Sequence, residues 1–208
     1  MNITRALSIA RLVLAFGQVR RVTLHEDGEP ESDTTHTVML ALLAMEVAPR
    51  LDYDAGLAAQ FAVVHDISEV YAGDTNTAHG LSPEEADTKA ARESAAIRRL
   101  EAEQGDTMWI ELLRRYEAQQ EPEARLVRYL DKVLPKLTHY LNGGAALRSL
   151  KITADGVTEK HLRQGEQLAA QYPELLEVRR LFDAACYLVE GGIVSGAGRM
   201  KTESERTT

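Results

Sequence analysis

Apolar residues recur at helical spacing through most of the chain. Leu7, Ala10 and Leu14 share one stripe, with Ile9 and Val13 a residue away, so an amphipathic helix of about four turns is expected over 2–16, with Thr4 as a candidate cap and Gly17 at its end. Residues 18–32 are mostly polar and include Glu26-Asp27-Gly28-Glu29-Pro30, which is turn chemistry, so this stretch reads as a loop. Asp33 or Thr34 can cap a second helix. Its residues 38–45 are apolar almost all round, which predicts a central position in the core before Pro49 closes it. A third helix is expected over 53–70, with Leu57, Phe61 and Val64 on one stripe, His65 and Asp66 in its last turns, and Gly73 as the break.

Ser82-Pro83-Glu84-Glu85 combines a serine cap, a proline at the first helical position and a glutamate three residues after the cap. A long charged helix therefore follows to about Gln104, and Gly105-Asp106-Thr107 separates it from a shorter helix over 108–119 that buries Ile110, Leu113 and Tyr116. From Pro122, a stripe of Leu126, Leu130, Val133, Leu134 and Leu137 runs to Leu141, with Asp131 among these residues and Pro135 expected to kink the path. Gly143-Gly144 stops it. A short turn over 145–151 and two helices over 157–172 and 173–190 complete the pattern, the last exposing Arg179 and Arg180. No long repeat and no alternation of short strands is present, so the expected fold is all-α, one domain over 1–192 and a solvated tail over 193–208.

Composition narrows the options. With 208 residues and 44% hydrophobic content the chain can bury a real core, while a net charge of −8 and a pI near 5.3 argue against duplex nucleic acid held on a basic face. Cys186 is the only cysteine, which excludes an intramolecular disulfide and a cysteine zinc cluster and makes the cytoplasm the default compartment. Arg5 and Arg11 interrupt the first apolar segment, which therefore reads neither as a signal peptide nor as a membrane span.

The chemistry gathers around His65-Asp66-Ile67-Ser68-Glu69-Val70. On a helix, an imidazole and two carboxylates at this spacing crowd one side of about a turn, at the end of an apolar run where charge is costly unless paired or bound to a metal. His36 and Asp131 also stand at helical positions flanked by apolar residues. Each of the four could be satisfied separately by hydrogen bonds, but two imidazoles and two carboxylates together favour one shared metal pocket.

His65-Asp66-Ile67-Ser68-Glu69-Val70, then Gly73-Asp74 and Thr75-x-Thr77, with His36 upstream and Asp131 downstream, resembles the HD-domain metal-dependent phosphohydrolases. Within them it is similar to the 5'-deoxynucleotidase branch and to related phage deoxynucleoside triphosphohydrolases, over about residues 7–143. The resemblance implies a single HD-domain helical bundle with additional C-terminal helices. It implies that His36, His65, Asp66 and Asp131 hold one divalent cation (Mn, Co, Mg, Zn, Ni or Fe), that Glu69 is the acid/base residue, that Asp74 helps define the sugar pocket and that Thr75 is among the substrate-binding residues. The family's phosphate-binding arginine precedes the first histidine, where Arg20 and Arg21 both stand, and Lys89 falls where the triphosphohydrolases carry a basic residue near the polyphosphate. The plain alternatives are a helix-surface carboxylate for Glu69, a turn residue for Asp74 and a solvated lysine for Lys89. Lys132 is open in the same way, and His79, His139 and His161 receive no role. The deoxynucleotidases usually follow their arginine with a tryptophan, whereas Val22 stands here and the single tryptophan is Trp109.

These residues imply hydrolysis of a deoxynucleotide phosphoester, foremost a 5'-deoxynucleotidase converting a deoxynucleoside monophosphate to deoxynucleoside and phosphate. The alternatives are a triphosphohydrolase releasing tripolyphosphate and a non-catalytic HD module that binds a nucleotide. The resemblance, with the apolar positions after Val157, also implies a homo-oligomer.

Overall fold

The computed structural model describes residues 3–77 and 79–195, and it is all-α apart from one small hairpin. In chain order the elements are α1 (Ile3–Phe16), β1 (Arg20–Leu24), β2 (Pro30–Ser32), α2 (Asp33–Val47), a 3-10 turn (Ala48–Leu51), α3 (Ala55–Val64) and α4 (Glu69–Ala72). They continue with α5 (Pro83–Gln104), α6 (Met108–Ala118), α7 (Pro122–Leu141), α8 (Ala145–Ser149), α9 (Ala154–Gln171) and α10 (Leu176–Ser195). No helix among the described residues is long and apolar enough to cross a membrane. Backbone proximity groups the chain into two compact units. One comprises the chain up to Val22 with Glu31–Asp131, the other Thr23–Pro30 with the residues from Lys132 onward.

Four local expectations change. The loop over 18–32 holds the strands β1 and β2, because its polar sequence folds back through a tight turn. There the His25 amide donates to the Glu29 carbonyl at 2.9 Å and the Glu29 amide donates to Asp27 Oδ1 at 3.0 Å, while Gly28 takes φ +88°. The helix over 53–70 is two helices. Asp54 Oδ1 caps α3 by accepting from the amides of Gly56 and Leu57, and beyond Val64 the backbone tightens to three-residue bonds, Ile67 to Val64 and Glu69 to Asp66. Ser32, rather than Asp33 or Thr34, caps α2, accepting from the Thr35 amide at 3.2 Å. The helix expected to end at Glu190 runs on to Ser195; of the expected tail, residues 196–208 lie outside the described residues.

In the first unit the core joins Leu40 and Ala44 of α2, Ala58 and Phe61 of α3, Leu100 of α5, Ile110 and Leu113 of α6, and Leu126 and Leu130 of α7, all fully buried. The mutual packing of α2 and α3 dominates, as the all-round apolar sequence of α2 requires. On α1 the buried residues are Leu12 and Phe16, and the expected stripe through Leu7 and Leu14 faces outward; α1 is apolar on more than one side, and Arg5, bonded to Gln104 Oε1 of α5 at 2.8 Å, orients the packed one.

In the second unit Leu147, Val157 and Val189 cluster with Tyr140 and Ile152, and α9 packs on α10. Gly165 allows that approach: a Cβ there would lie 3.1 Å from Arg179 Nη2 and 3.3 Å from Phe182 Cε1. Arg179 cannot swing aside freely, since it donates to the Gly165 carbonyl and holds Asp183. Gly165→Ala is therefore expected to lower the melting temperature. Overpacking costs about 1–3 kcal/mol against a helix-propensity gain of about 1 kcal/mol. A rise in melting temperature would show that the α9–α10 contact gives way.

Candidate functional site

α2, α7 and the turn after α3 bring the four sequence-predicted ligand residues together inside the first unit. One donor atom from each of His36, His65, Asp66 and Asp131 lies within 4.8 Å of the others. His36, fully buried on the second turn of α2, has Nε2 2.9 Å from Asp131 Oδ1, and its Nδ1 meets Glu31 Oε1 at 3.2 Å. His65 sits where α3 stops. Its Nδ1 donates to the Ala62 carbonyl at 2.7 Å, and its Nε2 faces Asp66 Oδ2 at 2.8 Å and Asp131 Oδ1 at 3.8 Å. That Nε2 is buried and in no hydrogen bond among the described residues, although a carboxylate oxygen stands beside it. Two imidazole nitrogens facing two carboxylates this closely need a positive charge between them, a proton or a metal ion, and two nitrogens with two carboxylate oxygens are a donor set that fits a divalent metal. The tautomers follow the same logic: each imidazole spends Nδ1 on an acceptor of the protein, Glu31 or the Ala62 carbonyl, and turns Nε2 inward.

The ionisation pattern reflects the crowding. Burial opposes charge on His36, but its bonds to Asp131 and Glu31 prevail and push it up to about 9, so a proton can occupy the place a cation suits. Burial also opposes charge on Asp66, and the adjacent His65 and Arg21 hold it below the usual carboxylate range. Glu69 moves the other way. Burial and the nearby carboxylates of Asp66, Asp33 and Asp74 push it far above the ordinary glutamate value, which keeps a proton on it in the absence of a cation. Its Oε2 is buried without a hydrogen-bond partner among the described residues, and Asp33, Asp66 and Glu69 form a second group of potential donor atoms within 4.8 Å.

The structure separates the two candidate arginines. Arg21 Nη1 donates to Asp33 Oδ1 at 3.0 Å and to Asp66 Oδ2 at 2.9 Å, and although burial disfavours its charge, Asp66, Asp131, Asp74 and Glu69 around it hold it cationic. Arg20 is exposed and donates to the Gly17 carbonyl at 3.3 Å. Alternation along β1 accounts for the difference, since neighbouring strand residues point to opposite faces. Asp74 joins the cluster, its carboxyl raised by burial and Asp66 against the pull of Arg21, His36 and Lys89. Lys89 is thus within electrostatic reach of Asp74, but its ammonium pairs with Glu93 one turn along α5. Thr75 Oγ1 accepts from Arg92 Nη2 at 2.7 Å and is engaged outside the cluster.

Two residues of the site escape a reading by motif. Glu31 orients His36, and Asp33, with no exposure, anchors Arg21. Both precede or open α2, where an acidic residue reads first as a helix cap. The available signal is that Ser32 already supplies the cap and leaves these carboxylates free for other work. Tyr116 closes the back of the site, its ring edge-on to His65 at 6.1 Å between centroids.

Comparison with known proteins gives concordant matches. The family model described as HD domain matches residues 17–175. The human 5'-deoxynucleotidase HDDC2 is 29% identical over 133 residues, which is 61% of this chain and 64% of that relative, so the match spans less than two thirds of the relative's length. The crystal structure of a predicted metal-dependent phosphohydrolase from Magnetospirillum magnetotacticum MS-1 superposes with a TM-score of 0.64 at 25% identity, covering 90% of this chain and 97% of that one.

Proposed function

From the premise that the chain belongs to the HD domain family, we propose that it is a metal-dependent phosphohydrolase that converts a deoxynucleoside 5'-monophosphate to deoxynucleoside and phosphate. The observation that carries this reading is the convergence of two inward imidazole nitrogens and two carboxylates, beside a buried arginine and a buried glutamate. The names of the human relative and the bacterial neighbour support it. His36, His65, Asp66 and Asp131 would hold the cation, which supplies Lewis acidity that offsets phosphoryl charge and acidifies the attacking water. Arg21, fixed by Asp33 and Asp66, presents its remaining N–H groups to the phosphate oxygens. With a cation offsetting the charge of Asp66 and the other nearby carboxylates, Glu69 would be able to ionise, accept the proton of the attacking water and return it to the leaving 5'-oxygen. Asp74, on the turn after α4, accepts a hydrogen bond from the sugar.

Incubation with Mn²⁺ or Co²⁺ and each deoxynucleoside mono- and triphosphate tests the reading. Release of orthophosphate from the monophosphates is expected; tripolyphosphate from the triphosphates would assign the triphosphohydrolase reaction, and binding without release a non-catalytic nucleotide module. In the same assay Arg21→Lys is expected to lower kcat/KM about tenfold or more, because a point charge cannot replace a planar fork shared between Asp33, Asp66 and phosphate. Arg20→Lys should leave it unchanged. Equal effects of the two substitutions would remove Arg21 from the phosphate.

A further inference from the structure

We propose that Glu31 is a positioning residue for the metal centre: acting on Nδ1 of His36, it fixes the inward nitrogen of that imidazole, strengthens it as a donor and so sets how tightly a divalent cation is held. The inference rests on the metal-binding part of the proposed function and not on the choice of substrate. The local fold prepares the contact. Glu31 lies on β2, where the backbone is held by pairing with β1, by the Asp33 amide donating to the Val19 carbonyl at 3.2 Å and by Ser32 capping α2. From that place its Oε1 meets Nδ1 of His36, five residues along the chain, at 3.2 Å.

Three observations separate this contact from an ordinary ion pair. Both partners are withdrawn from water, Glu31 at 1% exposure and His36 at 0%. A carboxylate in such a place is costly, and a buried ion pair is seldom a net gain in stability over apolar packing, so stability alone does not account for it. Next, the carboxylate serves one partner. His36 Nδ1 is its only hydrogen-bond partner among the described residues, Oε2 is buried with none, and no lysine or arginine there pairs with it. Asp33, two residues on, is instead tied to Arg21. The third observation is the contrast between the two imidazoles. His65 donates through Nδ1 to a neutral backbone carbonyl, that of Ala62, whereas His36 has a carboxylate at the corresponding nitrogen. A charged acceptor polarises the ring more than a neutral one, which makes the opposite nitrogen the better donor to a cation. The donor strength of His36 therefore depends on a single side chain that a substitution can remove.

Co²⁺ alone is the probe, titrated into metal-free protein and competed with a chelator, so neither substrate nor turnover enters the measurement. Glu31→Ala is expected to raise the Co²⁺ dissociation constant about 10- to 100-fold, the usual scale for losing the partner of a ligating histidine. Glu31→Gln keeps an oxygen for Nδ1 but not the charge, and should fall between the parent and the alanine variant. Bound Co²⁺ also displaces the exchangeable N–H proton resonance of each ligating imidazole far from the rest of the spectrum. Of two such signals in the parent, Glu31→Gln should move one, from His36, and leave the other, from His65, in place. Melting curves of the metal-free proteins separate this role from a structural one: a lower melting temperature with unchanged Co²⁺ affinity and unchanged N–H signals would overturn the proposal. Should Glu31→Ala fail to fold, Glu31→Gln decides alone, and an affinity equal to the parent's overturns it. A parent that takes up no Co²⁺ would instead refute the metal-binding reading beneath the inference, a result that is seen before any variant is compared.

Discussion

Asp131→Ala is expected to yield protein that holds no stoichiometric divalent metal and has no measurable phosphohydrolase activity, and His65→Ala and Asp66→Ala are expected to do the same. Asp131 has the most to lose, since its Oδ1 lies 2.9 Å from His36 Nε2 and 3.8 Å from His65 Nε2 and is the carboxylate both imidazoles face. With four protein donors in the set, removing one takes a full charge or a directed lone pair from the cation. Even loss of a supporting partner typically weakens metal sites about 10- to 100-fold. Because His65 also packs on Tyr116 and Asp131 is buried among apolar residues of α7, circular dichroism of the variants checks that the effect does not come from unfolding. Metal analysis of the purified proteins decides the point: unchanged stoichiometry in Asp131→Ala would exclude it as a ligand.

Glu69→Ala is expected to retain the metal and lower kcat about 10²-fold or more, the usual scale for losing a positioned acid/base group. The geometry motivates both halves of this expectation. Two imidazoles and two carboxylates already make a complete donor set without Glu69, whose buried Oε2 has no hydrogen-bond partner among the described residues. Burial and the carboxylates of Asp66, Asp33 and Asp74 favour a proton on it when no cation is present, so Glu69 is placed to exchange a proton rather than to hold a fixed charge. Glu69→Gln preserves the shape but cannot exchange that proton, and it should lose turnover like the alanine variant. Metal content, nucleotide binding and turnover measured on one preparation separate the roles. Near-normal turnover would take Glu69 out of the reaction, and loss of metal would make it a ligand together with Asp33 and Asp66.

The all-α class and most helix positions were legible in the sequence because their causes are local. The Ser82-Pro83 start of α5 is a reciprocal cap between neighbours, Gly143 and Gly144 end α7 by backbone freedom, and the stripe from Leu126 to Leu137 needs only helical periodicity. The candidate ligands were legible for a similar reason: a histidine or aspartate inside an apolar run is conspicuous whatever it touches.

Features that depend on distant parts of the chain were not. The third helix breaks at His65 although its sequence could continue, and the tighter turn that follows brings Asp66 and Glu69 to the same side, beside Asp33. Strand pairing turns Arg21 rather than Arg20 toward Asp66, a choice that two adjacent arginines in a polar stretch cannot reveal. In the sequence Asp33 reads as a helix cap and Glu31 as part of a polar loop; in the fold Arg21 lies against the one and His36 against the other. By itself the sequence determined which segments are helical and which residue types are available for chemistry, since both follow from neighbours a turn or less apart. Which arginine meets the carboxylates and which carboxylates orient the candidate ligands were decided by the tertiary structure alone, because each depends on pairs brought together by packing and not by spacing along the chain.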